Sequence, residues 1–189
     1  MIEFLEDGHI YLKDGIIVPS VSEILDFIFP NKYSGIPNWV LENKANYGTT
    51  VHYAIECLET GKELPKLNLY QELSLQQYEK IKEKNEIQVI DQEQTVSYKY
   101  EYAGRLDMIA LVKNKKSLVD IKTTSTLDKE SLSWQLSLYE FAYGEKFPGG
   151  LYCLWLPKNG LGKLEKIERK TKKEILEKLE EFKKWKKLI

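Results

Sequence analysis

The spacing of apolar and polar residues predicts a hairpin and several helices in the first half of the chain. Residues 2–5 and 9–12 alternate around Asp7-Gly8, a dipeptide typical of a tight hairpin turn. Ser20 and Glu23 have the spacing of a capping box, which predicts that a helix begins there. Helical spacing and polar runs without breakers predict further helices over 39–46, from Thr49 or Thr50 to Leu58, and over 71–85.

After residue 86 the pattern changes to short segments rich in Val, Ile, Tyr and Leu, separated by polar turns. Such segments predict consecutive antiparallel strands, here over 87–90, 94–102, 105–112 and 117–122. A helix is predicted over 130–143, and two more strands over 151–156 and 163–169. The order of elements predicts an α/β fold with a central mixed sheet flanked by helices.

A second capping box, formed by Thr171 and Glu174, predicts a closing helix rich in lysine and glutamate. Its buried stripe is expected to consist of Ile175, Leu179, Phe182 and Trp185. The lysine-rich segment from Lys163 to Lys187 is typical of a solvated helix face, with a phosphate-tracking surface as the alternative.

Length and composition predict one domain over 1–189. The chain has 189 residues, of which 42% are hydrophobic and 30% charged, as in ordinary globular proteins. We divide it into an N-terminal hairpin with helices (1–47), a core that carries the motifs below (48–143), and closing strands with a helix (144–189). No apolar run reaches the ~18 residues of a membrane span, and the first residues do not resemble a signal peptide. We therefore expect a cytoplasmic protein without a membrane partner.

The cysteines and the net charge exclude some classes of site. Cys57 and Cys153 are too few and too far apart for an iron–sulfur cluster or a four-thiolate zinc site, so we expect two buried thiols. The net charge of −1 neither supports nor excludes DNA as a partner.

Two predicted strands carry charged residues among apolar ones: Asp107 on the first, and Asp120 and Lys122 on the second. The period of two places Asp120 and Lys122 on one face of their strand, while Val119 and Ile121 point to the other. Buried carboxylates need a compensating charge, and Mg²⁺ prefers oxygen ligands. We expect Asp107 and Asp120 to hold such an ion, and Lys122 to orient the attacking water and stabilise the transition state. The alternative is a salt-bridge cluster without a metal.

Three further sets of residues are candidates for the same site. His52 follows Gly48 at the start of a predicted helix, and a neutral imidazole can complete a carboxylate metal site. Gln135 and Tyr139 stand at i and i+4, so they share one helix face, as polar surface residues or as a support for Lys122. Glu93 is a further candidate ligand, for which Asp91 competes.

These elements, in this order over residues 48–143, resemble the RecB-type nucleases of the PD-(D/E)XK superfamily, which include phage-type exonucleases. The family pattern is G-x-x-x-H, an optional Glu, G-x-x-D, D/E-x-K and Q-x-x-x-Y. Here it is met by Gly48 with His52, Glu93, Gly104 with Asp107, Asp120 with Lys122, and Gln135 with Tyr139.

The resemblance implies a restriction-endonuclease-like fold, Mg²⁺ or Mn²⁺ as the cofactor, and hydrolysis of DNA phosphodiesters. It implies Asp107, Asp120 and Lys122 as the catalytic residues. As metal ligands it implies His52, Asp107, Asp120 and the Ile121 backbone carbonyl, with Glu93 as an optional addition. The supporting or DNA-contacting residues are expected to be Gln135, Tyr139, Arg105, Thr123 and Thr124. No iron–sulfur cluster is expected, and no ATP, because a phosphate-binding P-loop motif is absent from the sequence.

We therefore expect a bacterial or phage-encoded, metal-dependent exonuclease that acts in recombination, repair or phage DNA processing, at DNA ends rather than at internal sites. A separate recombination or annealing protein is a candidate partner. Two alternatives stay open: a structure-specific or restriction-like endonuclease on the same fold, and a non-catalytic module that binds nucleic acid.

Overall fold

A five-stranded mixed sheet lies between two layers of helices in the computed structural model, which describes residues 1–158 and 161–187. The elements, in chain order, are β1 (Ile2–Leu5), β2 (Ile10–Lys13), β3 (Ile16–Val18), α1 (Val21–Ile28), α2 (Asn38–Thr60), α3 (Leu69–Lys84), β4 (Ile87–Tyr98), β5 (Tyr102–Val112), β6 (Lys115–Lys122), α4 (Lys129–Tyr143), β7 (Gly150–Trp155), β8 (Lys163–Ile167) and α5 (Lys172–Lys186). Their order confirms the predicted α/β class.

The N-terminal hairpin is confirmed, and it belongs to a small antiparallel sheet of its own, in the order β1-β2-β3. Strand β3 was not predicted, because Ile16 and Ile17 are both exposed and show no alternation of burial. Its turn places Asp14 and Gly15 at positive φ. Tyr11 of β2 packs with Val18 and Ala103, so this sheet is attached to the start of β5.

The prediction of two helices over 39–58 is wrong: α2 is one helix of 23 residues, Asn38–Thr60. Gly48 lies inside it, where a glycine costs roughly 1 kcal/mol relative to alanine. A Cβ at Gly48 would lie 3.2 Å from Thr123 Oγ1, so the glycine allows the helix to approach the loop after β6. The helix ends at Gly61 in the left-handed conformation, as such a cap requires. The subdivision of the chain at residue 47 falls inside this helix.

The predicted strands 87–90 and 94–102 are parts of a single strand, β4, followed by a turn and β5. The register shifts between Val89 and Asp91, which leaves Ile90 as an extra residue in β4. This bulge interrupts the alternation of side chains between the two faces of the sheet, which explains why the sequence pattern predicted two strands instead of one. The predicted antiparallel order β4-β5-β6 is confirmed.

Both capping boxes are confirmed, at Ser20–Glu23 and at Thr171–Glu174. Helix α4 ends at Gly144 in the left-handed conformation. The buried stripe of α5 is confirmed except for Trp185, which is 38% exposed. Trp185 lies in the last turn of the helix, where its ring reaches only Phe27 and Phe182 among the aromatic rings of the described residues.

Two hydrophobic cores cover the two faces of the large sheet. Helices α1, α4 and α5 pack on one face and form the first core, and α2 and α3 pack on the other and form the second. Strand β6 is central: it pairs antiparallel with β5 and parallel with β7, to which α4 connects it. A side chain on β6 is therefore shielded from water by a helical layer on either side.

Cys57 and Cys153 are free and buried, as predicted. Four lysines of α5, at positions 173, 178, 183 and 186, are paired with glutamates. These pairs are expected for a solvated helix face. Among the described residues, no helix combines the length and apolar character that crossing a membrane would require.

Candidate metal centre

Strand β6 carries Asp120 and Lys122 on one face, as predicted from the period of two. Val119 and Ile121 belong to the second core, while Leu118 belongs to the first. Asp120 and Lys122 thus lie on the side of α4, and Lys122 Nζ is 2.7 Å from Asp120 Oδ2. The pair occupies the end of the central strand.

Asp120 is a buried carboxylate whose negative charge is only partly compensated. It is 1% exposed, and among the described residues neither of its oxygens has a partner in hydrogen-bond geometry. Burial raises the pKa of Asp120 to about 6, with Lys122 opposing the rise and Asp107 adding to it. Burial alone would lower the pKa of Lys122, but the Asp120 and Asp107 carboxylates raise it above its usual range. The lysine is therefore an ammonium at neutral pH, and Asp120 has room for a second positive partner.

Asp107 lies where the ladder between β5 and β6 ends, at the pair Met108–Val119. Its Oδ2 accepts a hydrogen bond of 2.7 Å from the Ile121 backbone N–H, which the ladder leaves free. The same register, extended by one residue, sets Asp107 opposite Asp120 on the neighbouring strand. The role expected for the Ile121 carbonyl stays a prediction.

Three side chains from three elements converge beside Asp107. His52 of α2, Glu93 of β4 and Asp107 of β5 each offer a ligand atom, and these atoms lie within 4.8 Å of one another. His52 Nδ1 is 3.7 Å from Asp107 Oδ1. Asp120 is outside this group, although its pKa depends on both Asp107 and His52. One imidazole and two carboxylates form a donor set that suits a hard divalent cation.

The structure separates the two acids of β4 that the sequence left in competition. Asp91 is exposed, and its carboxylate accepts a hydrogen bond from the next backbone N–H, at Gln92. Glu93 is half-buried and belongs to the group with His52 and Asp107. The difference comes from the bulge at Ile90. If the register of Val89 with Ala110 continued without the bulge, Gln92 would lie opposite Asp107. With the bulge, Glu93 has that position.

Arg105 is an ionic partner of Glu93, a contact that the sequence did not reveal. Its Nε lies 2.8 Å from Glu93 Oε2, and its guanidinium carbon is 4.6 Å from the centre of the Phe4 ring. Burial and the Asp107 carboxylate raise the pKa of Glu93, while Arg105 and His52 oppose the rise. Arg105 therefore connects the N-terminal sheet to the candidate centre. Its expected role in contacting DNA stays a prediction.

Gln135 and Tyr139 share a face of α4, as predicted, with Gln135 Nε2 at 3.4 Å from the Tyr139 hydroxyl. Burial raises the pKa of Tyr139, so the hydroxyl keeps its proton at neutral pH. Tyr139 is itself buried in the first core, together with Trp134 and Leu138 of the same helix, so it is not a polar surface residue. Tyr139 thus lies between α4 and the site, where its ring covers the backbone of Gly104.

Gly104→Ala is expected to destabilise the fold by about 1–3 kcal/mol, the usual cost of overpacking. The added Cβ would lie 2.6 Å from Tyr139 Cε1 and 3.0 Å from Val21 Cγ2, so the ring has to move. Urea unfolding measures the change. In a Tyr139→Leu background the same substitution should cost less, and an equal cost in both backgrounds would contradict the proposed clash.

The loop after Lys122 contains both threonines singled out from the sequence. Thr123 faces Gly48, while Thr124 Oγ1 donates to the Thr126 carbonyl. The Thr124 carbonyl accepts a hydrogen bond of 2.6 Å from Trp155 Nε1. Trp155, at the end of β7, thus positions this loop, although no motif in the sequence pointed to it. The available signal was the indole N–H, which needs a partner when it is half-buried.

Comparison with known proteins adds little to this geometry. No protein-family model matches the chain, and no curated protein matches its sequence. Solved structures do match part of it: a crystal structure of SSO0001 is 18% identical, with a TM-score of 0.40, over 57% of this chain and 55% of that chain. The match thus spans about half the length of that protein. A likeness at this TM-score supports no statement on fold or function.

Proposed function

We propose that this protein is a metal-dependent DNA nuclease with the restriction-endonuclease-like PD-(D/E)XK fold. The observation that carries the proposal is the convergence of His52, Glu93 and Asp107 beside the Asp120–Lys122 pair. The mixed sheet flanked by helices is the architecture that the resemblance implies. The five sequence motifs, which are scattered over residues 48–143, meet in or around this one region.

Asp120 supports a divalent cation at this place, because Lys122 is its one ionic partner among the described residues and contacts only Oδ2. Asp107 and Asp120 would hold it together with His52, and Glu93 would add a carboxylate oxygen. When bound, Mg²⁺ or Mn²⁺ supplies the positive charge that activates water and neutralises the phosphate during hydrolysis.

The side chains of the chain itself account for the remaining steps. Lys122 is charged and partly exposed, so its ammonium can orient the attacking water and stabilise the charge that builds on the phosphate oxygens. Asp107 keeps its position through the Ile121 N–H bond. Tyr139 lies near enough to Lys122 for each group to affect the pKa of the other, and Gln135 Nε2 contacts the Tyr139 hydroxyl. Asp120 is buried between the helical layers, which strengthens its electrostatic interaction with Lys122.

Within this class we propose an exonuclease that acts on DNA ends. With Mg²⁺, the protein is expected to shorten linear duplex DNA and to leave a closed circle of the same sequence intact, as followed on gels. Chelation of the metal should stop the reaction. Efficient nicking of the circle would contradict the exonuclease assignment and favour the endonuclease alternative, while inertness toward both DNAs in Mg²⁺ and in Mn²⁺ would contradict the nuclease assignment.

One observation favours a second candidate, a nucleic-acid-binding module without catalysis. Each acid of the cluster already has a basic neighbour: Asp120 has Lys122, Glu93 has Arg105, and Asp107 has His52. Where each acid is paired with a basic group of the protein itself, the cluster needs no metal ion to compensate its negative charge. Calorimetric titration with Mn²⁺ separates the two candidates, because the module should show no binding heat and the nuclease should show saturable binding.

A further inference from the structure

Helix α2 crosses the ends of the strands that carry the candidate centre. Gly48 and His52 stand four residues apart, so they share one face of the helix. Gly48 faces Thr123, the residue directly after β6, whereas His52 Nδ1 lies 3.7 Å from Asp107 Oδ1 on β5. Since the sheet order is β4-β5-β6-β7, the residues of α2 before Gly48 approach β7 and those after His52 approach β4.

The basic side chains on the β4 side of this crossing are already paired with acids. Arg105 Nε lies 2.8 Å from Glu93 Oε2, and Lys62 Nζ lies 2.8 Å from Glu56 Oε1. Each positive charge on this side is therefore compensated within the protein. A phosphate group approaching from the β4 side would have to compete with a carboxylate for either cation.

On the β7 side, Lys158 is an exposed cation without such a competitor. In the part of the chain that the structure describes, it forms no ion pair with a carboxylate; its ammonium lies instead 4.1 Å from the centre of the Tyr70 ring and 5.6 Å from that of Tyr47. The Tyr47 hydroxyl donates a hydrogen bond of 2.9 Å to the Tyr70 carbonyl and lies 2.8 Å from Ser74 Oγ. The rings are thus held in place, and a cation–π contact positions the ammonium without neutralising its charge.

Lys158 lies close to the candidate centre. The Leu156 backbone N–H donates a hydrogen bond of 2.7 Å to the Lys122 carbonyl, and Lys158 follows two residues later. Tyr47, beneath its ammonium, precedes His52 by five residues, or ~8 Å at the helical rise. Because the phosphates of one DNA strand advance ~3.4 Å along the axis, this distance corresponds to roughly two to three nucleotides.

We propose that Lys158 binds a phosphate of the DNA strand that occupies the candidate centre, a short distance from the bond at the metal site. The strand then leaves the centre on the β7 side of α2, past the exposed hydroxyls of the loop after β6. That this strand is hydrolysed rests on the proposed function, whereas the contact between Lys158 and the phosphate needs neither metal nor catalysis.

The binding of a fluorescently labelled linear duplex of about 20 base pairs, measured by polarisation in EDTA at several salt concentrations, tests this contact separately from hydrolysis. Lys158→Ala is expected to weaken binding roughly 3- to 10-fold near 0.1 M salt. It should also reduce the dependence of the logarithm of affinity on the logarithm of salt concentration by ~0.9, because one counterion fewer is released. Lys158→Arg keeps the charge and should keep this salt dependence.

Lys99→Ala is the matched control. Lys99 is likewise exposed and lies over an aromatic ring, with Nζ 5.1 Å from the centre of the Tyr98 ring, but it belongs to the turn between β4 and β5. Its affinity and salt dependence should equal those of the unchanged protein. A residue that only supports the fold would leave the salt dependence unaltered, so this readout separates phosphate binding from a structural role of Lys158.

Three results would overturn the proposal: no binding by the unchanged protein, an unaltered salt dependence in Lys158→Ala, or an equal change in Lys99→Ala. With Mg²⁺ and linear DNA, Lys158→Ala should raise KM and leave kcat within a few-fold of normal, as expected for a residue that only binds substrate. If the change in salt dependence appears but neither Mg²⁺ nor Mn²⁺ gives cleavage, the phosphate contact is supported and the nuclease proposal alone is contradicted.

Discussion

Replacing Lys122 with alanine is expected to lower the rate of DNA hydrolysis by at least about 100-fold, a typical loss for removal of a group that stabilises transition-state charge. The ammonium is the one basic group paired with Asp120 among the described residues, and the Asp120 and Asp107 carboxylates keep it charged. Metal affinity should change much less than the rate. Single-turnover degradation of linear duplex DNA measures the rate, and calorimetry measures the affinity.

Loss of Lys122 also leaves Asp120 buried without its ionic partner, so the fold has to be checked by thermal unfolding. Lys122→Gln keeps a donor for Asp120 and should be as inactive as the alanine variant, because it lacks the charge. Lys116→Ala is the matched control: Lys116 is similarly exposed and bonded, to the Tyr143 hydroxyl, at the other end of β6. Activity within a few-fold of normal in both Lys122 variants would remove the residue from the catalytic machinery.

Replacing Asp107 with asparagine is expected to abolish the stabilisation of the fold by Mn²⁺. At a free ion concentration of 100 times Kd, binding stabilises a protein by about 2.7 kcal/mol, which raises the Tm of a chain of this size by roughly 5–10 °C. Asparagine keeps an oxygen that accepts the Ile121 N–H bond, so the fold should persist. The substitution removes the negatively charged carboxylate that Asp107 contributes to the group with His52 and Glu93.

Asp91→Asn provides the comparison, because Asp91 lies on the same strand as Glu93 but is exposed and outside the group. Its Mn²⁺-induced shift in Tm should equal that of the unchanged protein. An equal shift in Asp107→Asn, or loss of the shift in both variants, would contradict the assignment of Asp107 as a ligand.

The sequence predicted well wherever burial follows a local period. On β6 the alternation of Val119 and Ile121 with Asp120 and Lys122 could be read directly, because a central strand has a helical layer on each face. The helix caps could be predicted equally well, because a capping box or a terminal glycine acts within four residues.

What the sequence could not show depends on contacts between distant segments. Gly48 has the local character of a helix boundary, and only its contact with Thr123 explains a glycine inside α2. The choice of Glu93 over Asp91 depends on a bulge at Ile90, which no local pattern announces. For the same reason no local pattern indicated that Arg105 pairs with Glu93, or that Trp155 positions the Thr124 carbonyl.

The central claim is that β4, β5, β6 and α2 bring together ligands for one divalent cation. Diffraction from crystals grown with Mn²⁺, recorded at the manganese absorption edge, tests it most directly. The predicted result is an anomalous peak bounded by His52, Glu93 and Asp107, with an oxygen of Asp120 turned toward it and Lys122 beside it. A map at saturating Mn²⁺ without a peak there, and with the Asp120–Lys122 and Glu93–Arg105 pairs intact, would contradict the claim.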